Sequence, residues 1–178
     1  MGHFYFVRHG ESLWNVENKI CGKTDIDLTE KGYMQARQAA QAIIEQQLKI
    51  NLILSSPLKR AYHTAETISA MTGIPLAVEP RLIEQDFGMY EGTPRDGEEF
   101  RKAKENFICS YGNGESMLKT AHRIYSVLDE IVRRPDRVVL IAAHNGLARI
   151  IQSYFTDMIN EEFASFGIGN AEIRRFDF

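Results

Sequence analysis

The chain has 178 residues, 44% hydrophobic and 25% charged, which is enough apolar surface for a buried core and excludes intrinsic disorder as its main state. A net charge of −3 argues against nucleic acid or an anionic membrane as partner, since either calls for a basic face. The longest uninterrupted apolar run, Val138–Ala143, is far short of the ~20 residues a bilayer-spanning helix needs.

Phe4–Val7 is a short aromatic and β-branched run that reads as a buried strand ending at Arg8-His9-Gly10. Thr29 is placed to cap a helix whose apolar positions Tyr33, Ala36, Ala40, Ile43, Ile44 and Leu48 recur at helical spacing. Leu52–Leu54 is a second strand. Ser56 and Pro57 then read as a cap and first turn of a helix closed by Gly73. Leu76–Val78 is a weak third strand, and a helix is expected from Ser116 to about Arg133. Val138–Ala143 is the strongest strand, followed by a helix from about Gly146 to Phe155 and an edge strand over Ile173–Phe178. Strands separated by helices predict an α/β fold: a three-layer sandwich with a mostly parallel central sheet and helices on both faces. The whole of 1–178 reads as a single domain, with the charged segment at about 88–114 as a helical lid insertion. Cys21 and Cys109 cannot build a disulfide framework, and the first residues show no export signal, so a cytoplasmic location is expected.

In an open α/β sheet, ligands bind beyond the carboxyl ends of the strands. There the pattern delivers Arg8 and His9 from the first strand, Arg60 one turn into the helix after the second, and His144 with Asn145 from the strongest strand. Two guanidinium forks match the non-bridging oxygens of a phosphoryl group, and a neutral imidazole has a lone pair to attack phosphorus. The second imidazole is expected to stay protonated and donate to the developing charge. His3, His63 and His122 are read as structural. No cysteine–arginine phosphatase loop, nucleotide-binding glycine loop, nucleophile elbow or zinc spacing occurs, and no metal is expected.

These residues resemble the histidine phosphatase superfamily in its phosphoglycerate-mutase-like branch. The signature R-H-G-[EQ]-[ST]-x-x-N stands complete as Arg8-His9-Gly10-Glu11-Ser12-Leu13-Trp14-Asn15. Further blocks match at Gly22 to Ala36, Leu54 to Ala65, Leu82 to Gly92, Gly114 to Ser116 and Ala143 to Gly146, so the resemblance spans nearly the whole chain. It implies His9 as a nucleophile that becomes phosphohistidine, Arg8, Arg60, His144 and Asn15 as a phosphoryl clamp, and Glu84 as the acid and then the base. Cys21, Gly22 and Asn145 fall among its substrate contacts, and the thiol of Cys21 stands where a hydroxyl residue is common. The resemblance calls for no cofactor.

Cofactor-dependent mutases of the family carry an arginine pair and a lysine in a longer insertion, and a tyrosine at the position of Phe87. This chain has neither the arginine pair within Gly88–Gly114 nor that tyrosine. Hydrolysis of a small phosphate monoester is therefore the expected function. A mutase-type phosphoryl transferase is the alternative, and a non-catalytic phospho-ligand-binding domain ranks third. Arg95, Arg101, Lys102 and Lys104 are the segment's candidates for facing an anionic substrate.

Overall fold

The computed structural model describes residues 2–178. In chain order its elements are β1 (His3–Arg8), α1 (Leu13–Val16), α2 (Glu30–Glu45), β2 (Leu52–Ser55), α3 (Lys59–Thr72), β3 (Leu76–Val78), α4 (Glu98–Ala103), α5 (Met117–Val132), β4 (Val139–Ala143), α6 (Asn145–Phe155), α7 (Asn160–Ser165) and β5 (Ile173–Asp177). Short 3-10 helices occupy Pro80–Leu82 and Gly88–Tyr90. The sheet order is β3-β2-β4-β1-β5; the first four strands run parallel and β5 pairs antiparallel with β1.

Strand alternation sorts the core into two layers. Phe4, Phe6, Ile141 and Ala143 face one way and pack against Ile124, Leu128 and Ile131 of α5 and Leu147, Ile150 and Ile151 of α6. Tyr5, Val7, Leu140 and Ala142 face the other way, against Ala40 and Ile43 of α2 and Ala65 and Ile68 of α3. Burying one such Phe or Leu contributes ~1.5–3 kcal/mol relative to exposure. Every residue of β4 is buried because the strand lies between two parallel neighbours with helices above and below. This is the α/β sandwich the alternation of strands and helices predicts.

Four local expectations change. α2 stops at Glu45 rather than reaching Leu48, because Gln47 takes a left-handed conformation (φ 52°) and Leu48 N–H bonds back to the Ile43 carbonyl. α3 begins at Lys59, not at Pro57. Ser56 Oγ is engaged by His144 Nε2 at 2.7 Å, and the Lys59 N–H is satisfied from outside by Asp25 Oδ1 at 2.7 Å. The segment 88–114 is helical only over Gly88–Tyr90 and α4. Left-handed Gly88, Gly92 and Gly112 break it, and a cluster of Phe87, Tyr90, Phe100 and Tyr111, with ring centroids 5.4–6.1 Å apart, holds it instead. α1 and α7 are additional short helices. Among the described residues, no helix is long and apolar enough to cross a membrane.

Candidate active site

Arg8, Ala143 and Ser55 end three adjacent strands in register: Arg8 pairs with Ala143, and Ser55 with Ala142. The ladder runs one step further, with His9 N–H bonded to the Ala143 carbonyl and Ser56 N–H to the Ala142 carbonyl. That register brings the imidazoles of His9 and His144 together, ring centroids 5.3 Å apart, although 135 positions separate them (144 − 9). The carboxyl edge of β1 and β4 opens into a cavity of about 140 Å³.

Of the expected site residues, Arg8, His9, Asn15, Cys21, Glu84 and Asn145 line the cavity. Gly22, Arg60 and His144 stand behind that wall. Arg60, 0% exposed, donates through Nη1 to the Thr24 carbonyl (2.8 Å) and through Nη2 to the Gly22 carbonyl (2.7 Å). The loop carrying those carbonyls is gathered by Glu91, whose carboxylate accepts from Gly22 N–H, Thr24 N–H and Thr24 Oγ1. A methylene at Gly22 would run into Glu91, the Gln85 carbonyl and the Phe87 ring, so only glycine fits there.

His9 Nδ1 lies 2.7 Å from the Gly10 carbonyl. A carbonyl only accepts, so Nδ1 carries the proton and Nε2 the free lone pair. Burial, reinforced by the Arg60 and Arg8 cations, pushes the His9 pKa well below its ordinary value, so the ring is neutral near pH 7. His144 corrects the expectation of a protonated partner. Burial and Arg60 also hold it well below the usual histidine range, so both rings are neutral. Ser56 Oγ accepts from Leu58 N–H at 3.3 Å and lies 2.7 Å from His144 Nε2, where either group can donate. With the serine hydroxyl as donor, the single His144 proton sits on Nδ1.

Three buried nitrogens around this pair have no hydrogen-bond partner: Arg8 Nε, Arg60 Nε and His144 Nδ1. Buried polar groups are satisfied in the great majority of cases, so three orphans in one place are a demand for an acceptor. Arg8 gives one Nη1 bond to the Ile168 carbonyl, and burial lowers its pKa to about 10. Glu84, 5% exposed, accepts from Gln85 N–H (2.9 Å) and from Gly146 N–H (3.0 Å) in the first turn of α6, where the helix dipole favours a carboxylate. Asn15 Oδ1 accepts from Ser12 N–H, and Asn145 Oδ1 from Ile168 N–H. Burial pushes the Cys21 thiol up to about 11, so it lines the cavity as a neutral group.

Several contributors were not legible beforehand. Asn170 donates to the His9 carbonyl and to Asn15 Oδ1, and Ser56 seats His144. Arg95 and Lys104 line the cavity, whereas Arg101 and Lys102 do not. Arg149 lines it as well. Its signal was present: a lone cation within the apolar run Leu147-Ala148-Arg149-Ile150-Ile151. His63, paired with Asp27 at 2.7 Å, lies outside the cavity. Among the described residues, no group of histidine, cysteine and carboxylate side chains is arranged to hold a metal.

The fold and this edge define an α/β phosphoryl-handling protein. Residues 4–178 match the histidine phosphatase superfamily (branch 1), and the chain belongs to that family. It is 34% identical over 181 residues to the putative phosphoserine phosphatase 2 of Hydrogenobacter thermophilus, covering 97% of this chain and 88% of that one. It is 35% identical over 151 residues to a probable phosphoglycerate mutase of Yersinia pestis, covering 81% and 69%. Among solved structures, mycobacterial glucosyl-3-phosphoglycerate phosphatase complexed with VO3 superposes with a TM-score of 0.86 at 29% identity, covering 98% and 90%. The chain is a small-metabolite phosphatase of this superfamily, a hydrolase of phosphate monoesters.

Proposed function

We propose that hydrolysis runs through phosphohistidine at His9. Nε2 attacks phosphorus in line, the P–O bond to the leaving oxygen breaks with its electron pair, and Glu84 supplies the proton that oxygen takes up. Glu84 then removes a proton from water, whose oxygen attacks the phosphohistidine. The P–N bond breaks, returning neutral His9 and releasing orthophosphate. Arg8, Arg60 and His144 hold the non-bridging oxygens, with Asn15 and Asn145 at the rim, Cys21 along the wall and Gly22 just behind it.

The observation that carries this reading is the set of three unpartnered buried nitrogens, Arg8 Nε, Arg60 Nε and His144 Nδ1, around a neutral imidazole whose free nitrogen is Nε2. A phosphoryl group supplies the acceptors they lack. The protein is one domain over 1–178 with the 88–114 segment as its cover, and it works in the cytoplasm.

p-Nitrophenyl phosphate should turn over in EDTA, with an acid-labile, alkali-stable phosphoryl adduct trapped on the wild type. His9→Ala should show neither turnover nor adduct. Full turnover in that variant overturns the nucleophile assignment. Transfer of label from a bisphosphorylated primer to a monophosphate, without phosphate release, would instead establish the mutase reading that the Yersinia relative's name raises. Tight phosphate binding with no turnover of any monoester would establish a binding domain.

A further inference from the structure

The turn at Ile168–Ala171, which leads into β5, touches Arg8, His9, Asn15 and Asn145, residues that come from the end of β1, from α1 and from α6. The carbonyl of buried Ile168 accepts from Arg8 Nη1 at 2.9 Å, and its N–H donates to Asn145 Oδ1 at 2.9 Å. Asn170 Nδ2 donates to the His9 carbonyl at 3.0 Å and to Asn15 Oδ1 at 3.3 Å. Ala171 N–H donates to the Arg8 carbonyl at 2.9 Å. It does so from a left-handed conformation, φ 56°, which a residue with a Cβ seldom adopts and which persists only where its surroundings hold it. Glu172 N–H on the Gly169 carbonyl, and Gly169 N–H on the Glu172 carboxylate, close the turn.

Backbone partners fix which way each amide points. Ser12 N–H can only donate, so it faces Asn15 Oδ1; the His9 carbonyl can only accept, so it faces Asn170 Nδ2. The Asn170 NH2 has two protons, one for the His9 carbonyl and one for Asn15 Oδ1. Both lone pairs of Asn15 Oδ1 are then taken, which leaves its NH2 for the cavity it lines. A donor is what a phosphoryl group needs there, because its oxygens only accept, and an amide turned over would set oxygen against oxygen. The Ser12 bond lies within one turn of chain and moves with it. The Asn170 bond reaches Asn15 from 155 positions away and ties that turn to the end of β1.

We propose that Asn170 is a positioning residue: by bridging the His9 carbonyl and Asn15 Oδ1, it holds the Asn15 NH2 toward the phosphoryl group that His9 attacks. Its role depends on the phosphatase reading of the cavity. Asn170 does not itself line the cavity. It acts through Asn15, so its loss matters only while Asn15 is present.

A double-mutant cycle on p-nitrophenyl phosphate, with a thermal melt of every variant, separates positioning from plain structural support. Asn170→Ala should lower kcat/KM by roughly tenfold, the upper range for one hydrogen bond. Placed in an Asn15→Ala background, the same substitution should cost no more than about twofold, the scatter expected of uncoupled sites. A residue that merely braces the fold would impose its full loss in both backgrounds. Asn170→Leu keeps the bulk and removes the donor, and it should match Asn170→Ala; it decides the matter if the alanine variant melts below the assay temperature. A wild-type kcat/KM in a folded Asn170 variant, or a loss that persists undiminished in the Asn15→Ala background, overturns the positioning role while the phosphatase reading stands. If the wild type leaves p-nitrophenyl phosphate intact, the phosphatase reading falls and the role of Asn170 with it.

Discussion

Lowering the pH from 7 to 5.5 should destabilise the protein through His9 and His144. An exposed imidazole titrates near pH 6.5, but burial and neighbouring arginines hold both of these well below that. The sign follows from proton binding. As pH falls through 6.5 the unfolded chain takes up protons that the folded chain refuses, so stability present above that point is lost until the folded pKa is reached. At pH 5.5 an unfolded imidazole is roughly nine-tenths protonated, so each site loses on the order of 1 kcal/mol relative to pH 7, and the pair roughly twice that. Carboxylates that folding holds low, such as Glu79 beside Arg81, act below about pH 4.5 and do not intrude. Urea unfolding followed by circular dichroism in phosphate-free buffer measures the change, with the double variant His9→Asn, His144→Asn as reference. His3, His63 and His122 are present in both proteins and cancel in the difference. If wild type and double variant lose the same stability over this range, the neutral buried pair does not exist and the nucleophile's free lone pair loses its physical basis.

Two further outcomes follow from close contacts. A Cβ on Gly146 would lie 2.5 Å from Glu84 Oε1 and 3.0 Å from Cδ, so Gly146→Ala must displace that carboxylate. Because the obstacle is a side-chain tip, thermal stability should hold while kcat falls roughly 10²-fold, as expected for a misplaced proton donor; an unchanged kcat would remove Glu84 from the reaction. Arg60→Lys keeps the charge, but one ammonium nitrogen cannot take the place of the three separate guanidinium nitrogens, two of which span the Thr24 and Gly22 carbonyls while Nε is left over. Steady-state kinetics should show kcat/KM lower by roughly 10²-fold or more, and a normal value would undo the clamp.

The α/β class was legible because β-strand and helical periods are local properties. Phe4–Val7 and Val138–Ala143 are too apolar and β-branched to be anything but buried strands, and Gly73, with φ 73°, ends α3 where its sequence position predicts. The region 88–114 misled for a complementary reason. Its charged pairs with few breakers between them read as helical, but left-handed glycines interrupt it and the four-ring cluster joins positions 87 to 111, contacts that no local period reports. Ser56 shows the same competition at one residue: a good helix cap by type, it is drawn instead to His144, 88 positions away.

The order of residues along the chain determined that Arg8, His9 and His144 reach the rim, because they stand at the ends of β1 and β4 and a parallel sheet puts such ends on one edge. What it could not carry was protonation and charge balance. Only the packed structure makes His144 neutral, leaves its Nδ1 buried without a partner, and leaves Arg149 buried without a counter-charge, since those properties depend on solvent exclusion and on neighbours contributed by other elements.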